Sequence, residues 1–288
     1  MASYIRRMAQ HVYYRSFARD DGTVDYAAAF GAYLGAPAEA PVTPERRVDA
    51  GVALQHETVV ILTFGQSNAA NAGAQCYVAR RGVYAFNVFD MNYYRAIDPL
   101  PGATNDGGSI WGRLGDKLIE ADLFRSVLFV PIAVGGSYIK DWTPRDGYCY
   151  RRLMLALTRL KRAGIRPDML CWHHGEADAN RVMTSAQEYQ ARFRRLLTEI
   201  GRVGVEAPVY VALASHCANG PHPYQNHEQI RRAQRQLVSP PDVLPGPDTD
   251  QFIGDFRHDG CHFSEKGLDA VAQAWLECIL QHPLVKSH

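Results

Sequence analysis

A serine, an acid and a histidine in this chain are placed so that they could act together on an acyl group. Ser67 lies in Gly65-Gln66-Ser67-Asn68, directly after the apolar, β-branched run at 58–64 and before the small residues Ala69, Ala70, Asn71 and Ala72. Such a run reads as a buried strand. Ser67 therefore falls at a strand-to-helix turn, with its hydroxyl above the sheet edge. Its N–H is free at a helix start, where the dipole favours a developing anion. Near the C-terminus, Asp259-Gly260-Cys261-His262 brings an acid and an imidazole close enough to pair. Together these supply a nucleophile, a base and an orienting carboxylate. The turn is not the α/β-hydrolase elbow, because Ala69 stands where Gly-x-Ser-x-Gly needs glycine. A Gly-x-Ser after a strand can also be an ordinary turn with serine as N-cap. The distant Asp259 and His262 are what favour chemistry.

Two further segments follow strand-like runs. In Ala133-Val134-Gly135-Gly136-Ser137-Tyr138 the paired glycines let backbone N–H groups approach a ligand closely. Trp172-His173-His174-Gly175-Glu176-Ala177-Asp178 adds imidazoles and acids. The order Gly-Gln-Ser-Asn, Gly-Gly-Ser, Trp-x-x-Gly-Glu-x-Asp and Asp-x-x-His resembles the SGNH (GDSL-like) hydrolases, and most of all their sialate O-acetylesterase and acetylxylan-esterase-like branch. The resemblance spans residues 58–280. It implies a serine O-acetylesterase that needs no cofactor or metal and acts on an O-acetylated carbohydrate. It assigns Ser67 as nucleophile, His262 as general base and Asp259 as its orienting acid. The implied oxyanion hole is the N–H of Ser67, a glycine N–H from Gly135 or Gly136, and the side chain of His174. That branch has glutamine where His174 stands; a neutral imidazole still offers one N–H. Gln66, Asn68, Glu176 and Tyr138 are expected around these groups as bracing or substrate residues. Tyr138, Trp142, Tyr93 and Tyr94 could present flat faces to a sugar, although aromatics more often fill cores.

The elements that must hold these residues alternate. Strand-like runs at 59–64, 83–89, 127–134, 169–172 and 208–214 are separated by helical periodicity at 110–123, 150–163, 185–203 and 225–237. A last helix places Leu268, Val271, Ala272, Trp275, Leu276 and Ile279 on one face, with Ser264 as its N-cap. This alternation predicts an α/β chain, a parallel sheet covered by helices on both faces. The resemblance implies the three-layer α/β/α, flavodoxin-like form. In such folds function sits at the carboxyl ends of the strands, where the four motifs lie. Residues 1–50 read as an extension of unknown role before an esterase domain at 51–288. Helical candidates at 5–17 and 26–33 precede an Ala/Pro linker at 36–44. Tyr4, Tyr13, Tyr14, Tyr26 and Tyr33 could pack on the main body or in a homo-oligomer.

A net charge of +1 over 288 residues argues against nucleic-acid binding. The N-terminal stretch has no apolar signal-peptide region and no run is long enough to span a bilayer, so the expectation is a cytoplasmic enzyme away from membranes. Cys76, Cys149, Cys171, Cys217, Cys261 and Cys278 show no paired spacing and read as isolated thiols. Two rival readings stay open. His173, His174, Glu176 and Asp178 with Asp255, His258, Asp259 and His262 form an N/O donor set suited to metal-dependent hydrolysis. A non-catalytic carbohydrate-binding protein could use the same scaffold, and an acyl-enzyme could pass its group to a sugar instead of water.

Overall fold

A computed structural model describes residues 44–80, 82–143, 147–219, 221–222 and 225–284. The helical candidates at 5–17 and 26–33 lie outside the described residues.

Eight strands form one sheet in the order β1-β4-β3-β5-β2-β6-β7-β8. They are β1 (Arg47–Val48), β2 (Thr58–Gly65), β3 (Val83–Asn87), β4 (Asn92–Arg95), β5 (Ser126–Pro131), β6 (Met169–His173), β7 (Val209–Leu213) and β8 (Val243–Asp248). The six strands from β3 to β8 across the sheet are parallel, and β4 and β1 finish one edge as an antiparallel ribbon. β1, β4 and β8 escaped the sequence reading. β1 and β8 are the edge strands and β4 lies next to β1; all three are short or contain proline (Pro245 and Pro247 in β8), and so lack an apolar run. Counting the parallel strands alone, the order is 2-3-1-4-5-6, so β5 lies between β3 and β2 where the flavodoxin order would join β2 to β3 directly.

β2 shows why the sheet is buried on both faces. Val60, Leu62 and Phe64 point into one core with α3 (Tyr148–Arg162), α5 (Ala186–Arg202) and α6 (His227–Leu237). Val59 and Ile61 point into the other, with α2 (Trp111–Glu120) and α7 (Glu265–Gln281). The chain thus builds three layers, α/β/α, with a continuous β-branched run at the centre. Short α1 (Ala50–Ala53) precedes β2, and α4 (Glu176–Asn180) follows β6. Ser264 caps α7, accepting from the N–H of Gly267 at 3.2 Å as its position predicted.

The chain leaves β2 toward β3–β5 on one side and later crosses to β6–β8 on the other. The carboxyl end of β2 is therefore where the winding reverses, and ligand crevices open at such points. The Gly-Gln-Ser-Asn turn stands there, flanked by the loops after β5 and β6. Among the described residues no helix is long and apolar enough to cross a membrane.

Candidate active site

The nucleophile turn is fixed from β6. Gly65 has φ +130°, and a Cβ there would lie 2.1 Å from the carbonyl of His173, so only glycine lets the strands approach this closely. Next to it, the N–H of Gln66 donates to that carbonyl at 3.1 Å. Its side-chain Oε1 accepts from the N–H groups of Gly175 and Ala177, at 3.2 Å each. Ser67 then begins a single 3-10 turn, Ser67–Ala69, in place of the expected helix; Ala70 is already extended at φ −95°, ψ −151°. Trp111 holds this exit by donating from Nε1 to the carbonyl of Ala69 at 2.7 Å. The N–H and the hydroxyl of Ser67 bond to nothing among the described residues.

Asp259 and His262 pair in a turn closed by an Arg257–Phe263 bridge. One carboxylate oxygen of Asp259 accepts from the N–H groups of Cys261 (2.8 Å) and His262 (2.7 Å), and the other stands 2.7 Å from His262 Nδ1. Partial burial pushes the Asp259 pKa up, but the donors of His262 and Cys261 outweigh it and bring it down to about 2. An ionised Asp259 makes Nδ1 the protonated nitrogen and leaves Nε2 with the lone pair.

The pair is anchored toward Ser67. Asn68 Nδ2 donates to Glu176 Oε1 at 2.7 Å and to the carbonyl of Cys261 at 3.2 Å. The N–H of Ala74 donates to the carbonyl of Phe263 at 3.0 Å. A disulfide between Cys217 and Cys261 ties the same turn to the loop after β7. This corrects the reading of all six cysteines as isolated thiols: their 44-residue separation carries no motif, and only the fold brings them together.

The oxyanion candidates separate. The N–H of Gly135 is spent on Thr104 Oγ1 at 2.7 Å, whereas Gly136, exposed at φ +69°, has an N–H with no partner among the described residues. His174 is fully buried and stacked on Trp172, with ring centroids 4.6 Å apart. Its Nε2 lies 3.1 Å from the carbonyl of Ser137, and its Nδ1 3.2 Å from the Tyr189 hydroxyl. Burial lowers its pKa to about 3, so the ring is neutral and its single N–H goes to Ser137. The expected donation from His174 to a substrate oxyanion therefore does not fit this geometry. The reason is side-chain direction, which motif spacing does not specify.

Other expected residues also divide. Tyr138 is half-buried, with the Lys140 ammonium 5.0 Å above its ring. Trp142 is core and Tyr94 is buried and donates to Asp90, so these two offer no face to a sugar here; Tyr93 is half-buried and packs on Phe86. Glu176 is buried, which raises its pKa, and it holds Asn68; Asp178 is pushed by burial to about 7 and accepts from the N–H of Ile139 and from Thr184.

The model of the family described as carbohydrate esterase, sialic acid-specific acetylesterase matches residues 57–280. The chain belongs to that family. It is thus a carboxylic-ester hydrolase, an O-acetylesterase whose substrates are glycan or other small-molecule esters. Solved structures share the fold. A protein from Arabidopsis thaliana superposes with a TM-score of 0.63 at 16% identity, covering 78% of this chain and 98% of its own. A carbohydrate acetylesterase from Xanthomonas citri gives 0.58 at 14%, covering 80% and 57%. NanS gives 0.54 at 18%, covering 78% and 97%. No curated protein sequence matches the chain.

Within this acetylesterase framework, sequence reading missed Thr104 and Asn105. Thr104 holds Gly135 and donates to Asn105 Oδ1 at 3.0 Å; Asn105 is exposed with φ +69°. Thr104-Asn105 carries no motif of its own, and the sign of a backbone angle cannot be read from a sequence. The eight-residue donor set of the metal reading is not brought together. Among the described residues, one group of three or more His, Cys, Asp or Glu side chains has converging ligand atoms: His258, Asp259 and His262.

Proposed function

We propose that Ser67, His262 and Asp259 carry out the hydrolysis through an acetyl-enzyme, and that the acetyl group comes from a carbohydrate. The observation behind this assignment is the Asp259–His262 pair at 2.7 Å, held by Asn68 against the turn that begins with Ser67. Ser67 Oγ attacks the ester carbonyl carbon and its proton passes to His262 Nε2. Asp259 keeps the tautomer and stabilises the imidazolium. The developing oxyanion is met by the N–H groups of Ser67 and Gly136, both without a partner among the described residues. The tetrahedral intermediate collapses as His262 returns the proton to the leaving sugar oxygen. Water, deprotonated by the same imidazole, then releases acetate. The Ser67 hydroxyl starts without a partner among the described residues, and its hydrogen bond to His262 Nε2 forms when substrate excludes water.

His174 serves this reaction indirectly. Its N–H to Ser137 holds the loop that carries Gly136, so it sets the position of a donor. Tyr138, beside Gly136, is the aromatic face we assign to the sugar, and Asn105 a rim contact. The Cys217–Cys261 disulfide favours an oxidising compartment over the cytoplasm expected from the sequence.

The test is hydrolysis of p-nitrophenyl acetate and of O-acetylated sugars. Ser67→Ala and His262→Ala should each remove nearly all turnover, and the double variant should be scarcely worse, because the two act as one unit. Near wild-type activity in Ser67→Ala would overturn the assignment.

A further inference from the structure

We propose that His258, Asp259 and His262 form a binding site for a zinc-class divalent ion, and that its occupation switches the esterase off. The ligand atoms of the three residues all lie within 4.8 Å of one another. The backbone makes this convergence durable. The N–H of His258 donates to the carbonyl of His262 at 2.9 Å, and the Arg257–Phe263 bridge closes the turn. The two rings lie nearly parallel on one face, 28° apart with centroids at 6.1 Å. The N–H of Ala218 donates to the carbonyl of Gly260 at 3.0 Å, and the Cys217–Cys261 disulfide holds the turn from behind.

The donor chemistry is selective. Two imidazoles and one carboxylate are a borderline N/O set that suits zinc and poorly suits magnesium or calcium. Tetrahedral zinc with ligand bonds of about 2.0–2.2 Å wants donors roughly 3.4 Å apart, so modest side-chain rotations complete the site. Asp259 Oδ1 is occupied by two backbone N–H groups, so Oδ2 faces the ion, exchanging its contact with His262 Nδ1 for the metal. His258 holds the carbonyl of Ala72 only loosely, at 3.4 Å, and is exposed, so its ring can turn. The fourth position stays open to water.

Inhibition follows from imidazole chemistry and rests on the assignment of His262 as the base. A metal on Nε2 consumes the lone pair that must take the proton of Ser67. A metal on Nδ1 sends that nitrogen's proton to solvent, and the neutral ring must then carry its hydrogen on Nε2. Neither form can accept a proton from Ser67. His258 contributes affinity and no chemistry, which makes it the residue that separates the two roles.

The experiment uses the full chain and zinc chloride. Calorimetry on Ser67→Ala should show one zinc ion bound per chain. His258→Ala in that background should weaken binding at least as much as losing an outer-sphere partner does, about 10–100-fold. In the wild-type Ser67 background, zinc should suppress ester hydrolysis at the concentration that saturates the site. His258→Ala should keep its basal activity and resist zinc by the same factor, while magnesium at equal concentration inhibits neither. Absence of zinc binding to Ser67→Ala, or binding unchanged by His258→Ala, overturns the site. Zinc bound at His258 without loss of activity overturns the switch and counts against His262 as the base, a result distinct from failure of the metal site itself.

Discussion

The side-chain amide of Asn68 donates to the carbonyl of Cys261 at 3.2 Å, joining the residue after Ser67 to the residue before His262 across 193 positions of sequence. The same nitrogen donates to the buried carboxyl of Glu176 at 2.7 Å. One amide thus references the nucleophile turn, the base turn and the loop after β6 to each other. Distances between groups on three separate loops are thereby set by contacts that do not touch substrate.

Asn68→Ala should therefore lower kcat with little change in KM, since misplacement by an ångström can cost about 10²-fold. It should also lower stability by about 1–3 kcal/mol, because Glu176 loses its partner inside the protein. Steady-state kinetics and thermal unfolding on the purified variant check both. A stable variant with unchanged kcat would show that the turns find their places without Asn68.

His174→Ala should reduce thermal stability and kcat together, because it removes the stacking on Trp172 and the hold on Ser137. His174→Gln should recover part of both, since a carboxamide can still donate to the Ser137 carbonyl. A direct oxyanion donor would behave differently, with kcat falling by about 10²–10³ at unchanged stability. Comparing Tm with kcat in the two variants separates these cases.

Acid should remove the stability that the neutral, buried histidines contribute. Burial lowers the pKa of both His173 and His174 from 6.5 to about 3. The unfolded chain takes up these protons first, so the stability they contribute is complete above pH 6.5 and is lost as pH falls toward 3. Each contributes a slope of up to about 1.4 kcal/mol per pH unit in that window. Asp178 and Asp98 act with the opposite sign, since burial raises them to about 7 and about 6, and their contribution is lost as pH rises from 3.8 through those values. The difference between wild type and His174→Gln in urea unfolding, measured from pH 4 to 7, isolates one histidine. Parallel stability curves would rule out a neutral, buried His174.

Breaking the Cys217–Cys261 disulfide should loosen the turn that holds Asp259 and His262. The chain-entropy estimate for closing a loop of this separation is about 4 kcal/mol of stability, with measured cases often smaller. Cys217→Ser should lower Tm and kcat while leaving KM near its original value. Equal kcat with and without reductant would show that Asp259 and His262 keep their geometry unaided.

Much of this was written in the sequence. The apolar, β-branched run at 58–64, short and ended by Gly65, reads as a strand buried on both faces, and the amphipathic pattern of α7 with Ser264 before it marks that helix locally. The pairing of Asp259 with His262 was legible too, because three residues of chain hold them together whatever the rest does. Long-range and directional features were not legible. The edge strand β8 exists because β7 offers it a partner, since Val243-Leu244-Pro245-Gly246-Pro247-Asp248 has no strand pattern of its own. Cys217 and Cys261 look like separate thiols until β7 and the final turn meet. His174 occupies the motif position of a donor, yet a fully buried pocket between Trp172, Tyr189 and Ser137 turns its one N–H inward. The sequence alone determined which groups are chemically able to act, since residue type and local periodicity are properties of the chain. Only the tertiary structure decided which of them face one another, because hydrogen-bond direction depends on contacts that sequence spacing leaves free.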